Sequence, residues 1–320
     1  MILVCGGLAD SVTELVCARL DDCRYAYRLL DMGHYPGGFQ INWHWHDDGP
    51  EGCIHTTAWT LDLAELTGVF VRYLGAEGRA PPPNVISTNV PAMYAEYDSG
   101  LMALLEGLRC AVVNRVRGGM SNGSKPYQAL LVKQCGLLTP PTLVTNDPED
   151  ARRFYDELNG EVIYKSLSGI RSIVRRLQPD QLPRLSLLRN GPAQFQEFIP
   201  GEDVRVHTVG EQLFATRVSS DAVDYRYATH EGRKVEMAPT TLPTAVAESC
   251  LNLARRLDLL MTGIDLRETP DGKYYCFEVN PSPGFIYYEK HSRQPISAAL
   301  ADLLHTGVRS PAQHTKEMLM

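Results

Sequence analysis

The chain has 320 residues, enough for about two domains, and its 22% charged and 44% hydrophobic residues are ordinary for a globular protein. Its formal net charge of −7, from 31 basic and 38 acidic residues, lacks the basic excess typical of nucleic-acid or anionic-membrane binding. No apolar run approaches the roughly 18 residues of a membrane-spanning helix, and the N-terminus lacks the basic lead-in of a signal peptide. Eight cysteines without a C-x-x-C pair are typical of reduced thiols, so we expect a cytoplasmic protein. From the charge and the lengths of the apolar runs, we expect that it binds neither nucleic acid nor membrane.

Residues 1–120 are predicted to form a small α/β domain with a partly parallel sheet, because a strand and a helix are followed by returning strands. Its predicted elements, in chain order, are the strand Ile2–Cys5, the helix Ser11–Leu20, the strand Tyr25–Leu30, a hairpin of Phe39–Trp45 and Cys53–Thr57, the strand Gly68–Tyr73, the helix Ala92–Leu108 and the strand Cys110–Val113. In the hairpin, His44, His46 and Asp48 alternate, a spacing that fits metal ligands with His55 nearby. The alternative is a half-exposed strand rich in aromatic residues.

A polar, glycine-rich segment at Val116–Gly123 is the predicted linker to two α+β units. We expect these units at residues 121–198 and 199–308, followed by a flexible polar tail at 309–320. The first contains the helix Lys125–Cys135, the strand Thr142–Val144, the helix Asp147–Leu158 and the strands Glu161–Ser166, Ile173–Arg176 and Phe195–Ile199. The second contains the strands Arg205–Val209, Gln212–Val218 and Tyr274–Val279, the helix Ala245–Leu257 and a final helix over 294–306.

The most informative residues lie late in the chain, in Gly263-Ile264-Asp265 and in Glu278-Val279-Asn280. Residues i and i+2 of a strand face the same side, so Glu278 and Asn280 can reach one ion, and a neighbouring strand could bring Asp265 opposite them. Oxygen ligands from few side chains suit a Mg²⁺ ion that keeps waters and holds nucleotide phosphates. The alternative is a hairpin with a polar outer face and a turn at Pro281–Gly284.

Two lysines and one strand corner are candidate nucleotide contacts. Lys125 opens a helix after a glycine-containing loop, and Lys165 ends an apolar strand before the small-residue turn Ser166–Gly169. Lysines beside free backbone N–H groups can bind phosphate, although the G-x-x-x-x-G-K-[ST] loop is absent, and solvated lysines are the alternative. The strand Gln194–Ile199 stops at Pro200-Gly201, where backbone groups could meet an adenine edge or simply turn a corner.

A series of arginines completes the candidate site: Arg205, Arg217, Arg226 and Arg267. Guanidinium groups bind carboxylates and phosphates in bidentate geometry, although each of these arginines also fits a solvated surface. No serine or cysteine stands out as a nucleophile, and the G-x-S-x-G motif is absent.

In this order, over residues 121–290, the motifs resemble the ATP-grasp superfamily, most closely its RimK-type glutamate ligases and the microviridin-type ligases that crosslink ribosomally made peptides (graspetide synthetases). The resemblance rests on Lys125, Lys165, Gln196-Glu197-Phe198-Ile199, Asp203-Val204-Arg205, Gly263-Ile264-Asp265 and Glu278-Val279-Asn280. Ser282-Pro283-Gly284 with Glu289-Lys290 is similar to RimK, whereas Thr142–Pro148 and the strand leading to Arg72-Tyr73 are similar to the peptide-crosslinking branch. That branch usually has an Asn-Gly-containing sequence where this chain has Pro281–Gly284, so the resemblance leaves the sub-family and the substrate open. The first 120 residues match only loosely.

The resemblance implies an ATP-grasp fold, in which an N-terminal α/β pre-ATP-grasp domain precedes a small and a large α+β subdomain that clasp ATP. It implies ATP and Mg²⁺, with two ions expected, as cofactors. The implied ATP contacts are Lys125, Lys165 and Ser168 near the phosphates, Gln196, Glu197, Phe198 and Ile199 near adenine, and Glu202 or Asp203 at the ribose. The implied metal ligands are Asp265, Glu278 and Asn280, and the implied catalytic arginines, which would stabilise developing negative charge, are Arg205, Arg217 and Arg226.

The implied activity is an ATP-dependent ligase that converts a substrate carboxylate into an acyl phosphate and joins it to an amine or a hydroxyl. Its partners would be a peptide or an amino acid, and a homodimer is an open expectation. The alternatives within the same fold are a non-catalytic ATP-binding scaffold and a carboxylate kinase that forms no amide. Because an acyl phosphate must be shielded from water, the segments Lys165–Ile173 and Ser219–Met237 are expected to act as lids.

Overall fold

The computed structural model describes residues 1–32, 38–72, 90–167, 174–220 and 234–307. Within these ranges the chain forms four β-sheets with helices packed against them. The strands are β1 (Ile2–Gly6), β2 (Tyr27–Asp31), β3 (Phe39–His46), β4 (Gly49–Thr56), β5 (Thr60–Asp62), β6 (Gly68–Val71), β7 (Ala111–Val113), β8 (Thr142–Thr145), β9 (Val162–Lys165), β10 (Arg175–Arg176), β11 (Ala193–Glu197), β12 (Glu202–Val209), β13 (Gln212–Ser220), β14 (Val235–Thr240), β15 (Met261–Glu268) and β16 (Tyr274–Asn280). The helices are α1 (Ser11–Asp22), α2 (Val90–Gly107), α3 (Val116–Gly119), α4 (Lys125–Gln134), α5 (Pro148–Glu157), α6 (Thr244–Arg256), α7 (Ile286–Ser292) and α8 (Ile296–Thr306), with 3₁₀ segments at Leu63–Glu65, Met120–Gly123 and Pro179–Asn190.

The N-terminal sheet has the strand order β2-β1-β6-β7, and all of its paired strands run parallel. In such a sheet the carboxyl ends of the strands meet at one edge, where α1 begins and where Arg72 follows β6. Asp10 caps α1, because its carboxylate accepts a hydrogen bond from the Thr13 N–H at 2.9 Å. The predicted partly parallel sheet is therefore confirmed.

The predicted hairpin is also present, as β3 and β4 with a turn at Asp47-Asp48. Asp48 forms an ion pair with Arg109 at 2.7 Å, and His46 lies 3.8 Å from Glu51. Among the residues that the structure describes, no group of three or more His, Cys, Asp or Glu side chains could hold a metal. The hairpin therefore fits the aromatic-strand alternative rather than a metal site.

The small sheet, β10-β9-β11-β8, is antiparallel, and one face packs against α5 and the 3₁₀ segment Pro179–Asn190, which the sequence pattern did not predict. The buried residues between them are Ala151, Val162, Leu177, Leu185 and Phe195. On β11, Gln194 and Gln196 alternate with Phe195 and so point to the opposite face, where Lys165 pairs with Gln194.

The large sheet is antiparallel with the strand order β14-β13-β12-β15-β16. One face is apolar and packs against α4 and α6; its residues include Val204, Val206, Ile264, Leu266 and Val279, which cluster with Val132 and Leu253 of the two helices. Because side chains alternate along a strand, the polar residues between these apolar ones lie on the other face. We call it the carboxylate face, after Asp203, Asp265 and Glu278.

Helix α8 joins the N-terminal sheet to the large sheet. Its buried Ile296, Leu300 and Leu304 share one core with Ile2 of β1 and Phe214 of β13. The C-terminal end of the chain thus contributes to the core of the N-terminal domain, whereas the exact domain boundaries remain predictions and the tail lies outside the described residues. None of the helices in the described ranges is both long and apolar enough to cross a bilayer.

Candidate active site

The three residues predicted as metal ligands come together on adjacent strands. Asp265 of β15 pairs directly with Glu278 of β16, and Gly263 pairs with Asn280. Directly opposite residues of an antiparallel pair point to the same side, with Cβ atoms about 4.5–5.5 Å apart. The register shifts between Asp265 and Leu266, which leaves an extra residue on β16 next to this cluster. The structure thus places two carboxylates and one carboxamide on the carboxylate face, and their binding of a metal remains a prediction.

Arg205 binds this cluster from the neighbouring strand β12. Its Nη1 donates to Asp265 Oδ1 at 2.5 Å, and the residue is only 6% exposed. The guanidinium passes directly over Gly263, where an added Cβ would lie 2.0 Å from Arg205 Nη2. Arg205 Nε also donates to His207 Nε2 at 3.5 Å, and its guanidinium lies 5.5 Å from the centre of the Tyr288 ring. Any side chain at position 263 would therefore displace the Arg205 guanidinium from its present place beside Asp265.

His207 is fully buried beside Arg205. Burial, followed by the positive charge of Arg205, lowers the pKa of His207 well below its ordinary value, although a backbone hydrogen bond to Gly284 acts in the opposite direction. A neutral imidazole at this place leaves Arg205 as the positive charge that faces Asp265.

The segment after Asn280 is held from the N-terminal domain, through contacts that the sequence pattern did not reveal. Arg72 Nη1 donates to the Ser282 carbonyl at 3.0 Å and to its hydroxyl at 2.8 Å, while Arg72 Nε donates to Asp10 Oδ2 at 3.2 Å. Asn114 Nδ2 donates to the Pro281 carbonyl at 2.5 Å. Ser282 N in turn donates to Asn280 Oδ1 at 2.9 Å. The carboxamide of Asn280 is thus oriented by a turn that Arg72 and Asn114 hold in place.

The small sheet presents the predicted nucleotide contacts. Lys165 is 8% exposed at the end of β9, and Gln196 Nε2 donates to Thr142 Oγ1 at 2.9 Å. The Oε1 atoms of Gln194 and Gln196 are buried without a hydrogen-bond partner among the described residues. An unsatisfied buried acceptor costs about 1–3 kcal/mol, so these two oxygens fit a ligand that brings N–H donors, as adenine does.

A cleft of about 640 Å³ lies between the small and large sheets. Its lining includes Arg176, Phe198, Gly201, Glu202, Asp203, Ser219, Lys234, Glu236 and Arg267. Arg267 Nη2 donates to Asp203 Oδ1 at 2.7 Å, and its Nη1 donates to the Ile199 carbonyl at 3.0 Å. The Phe198 N–H donates to the Glu161 carbonyl at 2.8 Å. Two of the backbone groups that were expected to face adenine are thus already bonded within the protein.

Phe198 has positive charges near its ring. The guanidinium of Arg176 lies 4.0 Å from the ring centre, and that of Arg267 lies 6.0 Å away. Arg267 also binds the carboxylate of Asp203, so it connects the predicted adenine and ribose contacts. In the sequence, Arg267 stood out only as one member of a basic series. Its position two residues after Asp265 on the same strand, and so on the same face, is the signal that could have identified it as a site residue.

Arg217 lies on the side of the large sheet opposite to Arg205, which corrects the predicted grouping of these two arginines, while its partner Glu202 also lines the cleft at the edge of the sheet. Arg217 pairs with Val204, one residue before Arg205, so its side chain points to the opposite face. There it binds Glu202, and its Nη2 donates to Glu268 Oε2 at 2.6 Å. The hydrogen bonds that Arg217 donates to these carboxylates, first of all to Glu202, raise the pKa of Arg217, although partial burial opposes them.

Two predicted site residues lie outside the described ranges: Ser168 and Arg226. The same holds for most of the two segments expected to act as lids. Lys125 occupies the first turn of α4, whose helix packs against β16. The described candidate site therefore consists of the cluster of Asp265, Glu278 and Asn280 with Arg205, and of a cleft between two sheets that Asp203 and Arg267 help to line.

The donor set fits Mg²⁺, because it consists only of oxygen ligands from two carboxylates and one carboxamide. The unsatisfied acceptors of Gln194 and Gln196 fit the nucleotide. The sequence profile of the RimK-like ATP-grasp domain matches residues 122–304, which is more than half of the chain. The chain belongs to the RimK-like ATP-grasp family. The predicted ATP-grasp fold is thereby confirmed.

Relatives of this ATP-grasp protein include N-acetylaspartylglutamate synthase A of Mus musculus, which is 26% identical over 235 residues. That match covers 69% of this chain but only 61% of the mouse protein. Among solved structures, the macrocyclase MdnC from Microcystis aeruginosa MRC, bound with precursor peptide MdnA, has a TM-score of 0.78 at 24% identity and covers 95% of this chain and 99% of its own. The ATP-grasp ligase PsnB, complexed with a minimal precursor, has a TM-score of 0.78 at 27% identity and covers 95% of this chain and 97% of its own. PsnB has also been solved with minimal precursor, Mg and ADP.

Proposed function

We propose that this ATP-grasp protein is an ATP-dependent ligase that activates a carboxylate as an acyl phosphate and joins it to an amine or a hydroxyl of a peptide substrate. The observation that carries the proposal is the cluster of Asp265, Glu278 and Asn280 on one face of the large sheet, with Arg205 bonded to Asp265. The cleft between the small and large sheets supplies the space for a nucleotide next to this face.

In this proposal Asp265, Glu278 and Asn280 would hold Mg²⁺, which supplies charge neutralisation at the outer phosphates of the nucleotide. Arg205 occupies Oδ1 of Asp265, so the carboxylate would offer its second oxygen to the ion. The γ-phosphoryl group of ATP moves to a carboxylate oxygen of the substrate, and ADP leaves. The acceptor nitrogen or oxygen then attacks the carbonyl carbon, loses its proton, and expels phosphate with the electron pair of the broken C–O bond.

The remaining residues would bind and orient the reactants. Lys125 and Lys165 would contact phosphates, and the unsatisfied acceptors of Gln194 and Gln196 would take N–H donors of the adenine. Asp203, already bonded to Arg267, would contact the ribose as an acceptor fixed in orientation. Positioning and charge neutralisation are the main requirements of phosphoryl transfer, so no covalent protein nucleophile is needed.

Two buried cysteines, Cys5 and Cys250, are unsuited to act as thiolate nucleophiles. All eight cysteines of the chain are free thiols, and burial raises the pKa of Cys5 and of Cys250 to about 12. Thiols with such values remain protonated at neutral pH and are poor nucleophiles. The same free thiols support our proposal of a cytoplasmic location. Homodimerisation remains a prediction.

We propose a peptide rather than a free amino acid as the substrate, because PsnB, which was solved with a precursor, matches a larger share of this chain than the mouse synthase does. PsnB, complexed with a minimal precursor, covers 95% of this chain, which includes most of the N-terminal domain. The mouse synthase covers 69% of it. The donor and acceptor would both belong to the peptide if the enzyme closes a ring, as the name macrocyclase indicates for MdnC.

The test is an incubation of the purified protein with ATP, Mg²⁺ and candidate acidic peptides, followed by measurement of released phosphate and of product mass. We expect ADP and phosphate in equal amounts and a peptide that has lost one water per turnover. The control is Asp265→Asn, which keeps the shape of the side chain but removes a charge from the cluster. ATP binding without turnover on any peptide would favour a scaffold, and a phosphorylated peptide without condensation would favour a carboxylate kinase.

A further inference from the structure

Gln128 makes a pair of hydrogen bonds to the strand that carries two of the proposed metal ligands. It lies on α4, one turn after Lys125, and is only 3% exposed. Gln128 Nε2 donates to the Val279 carbonyl at 2.9 Å, and the Val279 N–H donates to Gln128 Oε1 at 2.8 Å. The side-chain amide thus bonds both backbone groups of the residue that separates Glu278 from Asn280.

At Val279 these two hydrogen bonds take the place of a neighbouring strand, since β16 has none on its outer side among the described strands. β16 is the outer strand of the large sheet, and its inner side pairs with β15. The Val279 N–H belongs to the peptide group shared with Glu278, and the Val279 carbonyl belongs to the peptide group shared with Asn280. Fixing both peptide planes fixes the directions in which the side chains of Glu278 and Asn280 leave the backbone.

The segment before α4 adds contacts to the same place. Asn122, with its amide turned so that the nitrogen donates, lies 3.2 Å from Glu278 Oε1 and 3.3 Å from the Val279 carbonyl. Gln128 Nε2 lies 3.4 Å from Ser121 Oγ. The linker and the first turn of α4 therefore hold the backbone and one carboxylate of the cluster.

We propose that Gln128 is a positioning residue that sets the geometry of Glu278 and Asn280 and couples it to the helix that begins with Lys125. This inference rests on the proposed function, because it takes Glu278 and Asn280 as ligands of a divalent cation. Gln128 has no contact with nucleotide or substrate in this scheme. Outer-sphere residues of this kind typically change metal affinity by about 10–100-fold when they are replaced.

The competing explanation is that Gln128 only fastens α4 to the large sheet. Val132 provides a matched control, because it lies one turn further along α4 and is 2% exposed in the core beneath the same sheet. Val132→Ala loosens the packing of α4 without touching the hydrogen bonds to Val279. Gln128→Leu removes both bonds at similar volume, and Gln128→Glu keeps the acceptor but loses the N–H that faces the Val279 carbonyl.

The experiment measures Mn²⁺ binding to the full-length protein by electron paramagnetic resonance, with ADP present, together with ADP binding in the absence of metal and the melting temperature of each variant. We expect Gln128→Leu and Gln128→Glu to bind Mn²⁺ about 10–100-fold more weakly, with metal-free ADP binding within about twofold of the unmodified protein. Val132→Ala should melt at a lower temperature and bind Mn²⁺ normally.

Unchanged Mn²⁺ affinity in a folded Gln128 variant would overturn the inference. So would a loss of affinity in Val132→Ala as large as that in the Gln128 variants, because general loosening of α4 would then explain both. If Gln128→Leu does not fold, the result from Gln128→Glu decides. An unmodified protein that binds no Mn²⁺ with ADP would instead refute the proposed function, and the role of Gln128 would fall with it.

Discussion

Replacing Gly263 with alanine should test the arrangement of the candidate site most sharply. The added Cβ would lie 2.0 Å from Arg205 Nη2, 2.6 Å from Arg205 Cζ and 2.7 Å from Pro283 Cβ. All three separations are far below contact distance, so the Arg205 guanidinium must move from its place above residue 263, which disturbs its hydrogen bond to Asp265. Overpacking of this kind typically lowers the free energy of unfolding by about 1–3 kcal/mol.

The effect on turnover should exceed the effect on stability. Removing one fixed donor from a site that stabilises developing charge typically costs about 100–1,000-fold in kcat. We therefore expect Gly263→Ala to lower kcat by about 100-fold, while the affinity for a non-hydrolysable ATP analogue stays within about threefold, because the small sheet that carries Lys165 is unchanged. Steady-state phosphate release and calorimetric titration of the analogue measure these two quantities.

Gly100→Ala is the control, since an added Cβ at that position of α2 meets no atom of the described residues within 4 Å. Its kcat should match that of the unmodified protein. The reasoning would be refuted if Gly263→Ala turned over at the normal rate, because Arg205 would then have no required place beside Asp265. It would also be refuted if the variant lost analogue binding and turnover to the same extent.

Three further outcomes follow from the structure. Lys165→Met should weaken binding of the ATP analogue by about 10–100-fold, as expected for loss of a charge-assisted hydrogen bond, whereas Lys133→Met, on the exposed side of α4, should not; equal affinity of both variants would contradict the assignment. Arg217→Met should keep kcat within about threefold and change the free energy of unfolding by less than about 1 kcal/mol, because its ion pairs lie on the other side of the sheet; a loss of turnover near that of Gly263→Ala would return Arg217 to the site. Burial, with help from Arg205, holds the folded pKa of His207 below its unfolded value of about 6.5, so the unfolded chain takes up a proton that the folded protein does not. The free energy of unfolding should therefore fall as the pH drops below about 6.5, by about 1 kcal/mol between pH 6.5 and 5.5, and denaturant titrations of His207→Gln should lack this part of the pH dependence.

Local patterns in the sequence were enough to predict the parts of the site that lie on one strand or on neighbouring strands. Apolar and polar residues alternate around Glu278 and Asn280, which predicted that these two side chains lie on the same face of the sheet. The apolar Val279 between them predicted that the opposite face packs on the helices. The parallel N-terminal sheet and the β3–β4 hairpin followed from short runs of the same kind. Family resemblance then supplied the roles, which no pattern of spacing contains.

The side of the sheet on which Arg217 lies depends on register. Val209 pairs with Gln212 across a two-residue turn, which sets Arg217 opposite Val204. A turn longer by one residue would have placed Arg217 opposite Arg205 and on the carboxylate face. The predicted bounds Arg205–Val209 and Gln212–Val218 already leave this two-residue turn, so the register was contained in the sequence pattern. The error lies in grouping the arginines by charge without following the alternation of faces along the two strands.

Contacts between distant parts of the chain could not be predicted at all. Arg72 and Ser282 are separated by 210 positions, and Gln128 and Val279 by 151. Neither pair has a local signature, because an arginine after a strand and a glutamine in a helix are common anywhere. Such contacts become visible only when the sheets are assembled.

The hold of Arg72 and Asn114 on the turn after Asn280 has a consequence for how the molecule can be divided. An excised piece limited to the family-matched residues 122–304 would lack both side chains, and the apolar surface of α8 that packs on β1 would be bare to water. Such a fragment would contain the proposed ligands Asp265, Glu278 and Asn280, but it would lack the side chains of Arg72 and Asn114, which hold the turn that orients Asn280. The N-terminal third of the protein therefore supports the geometry of the candidate site.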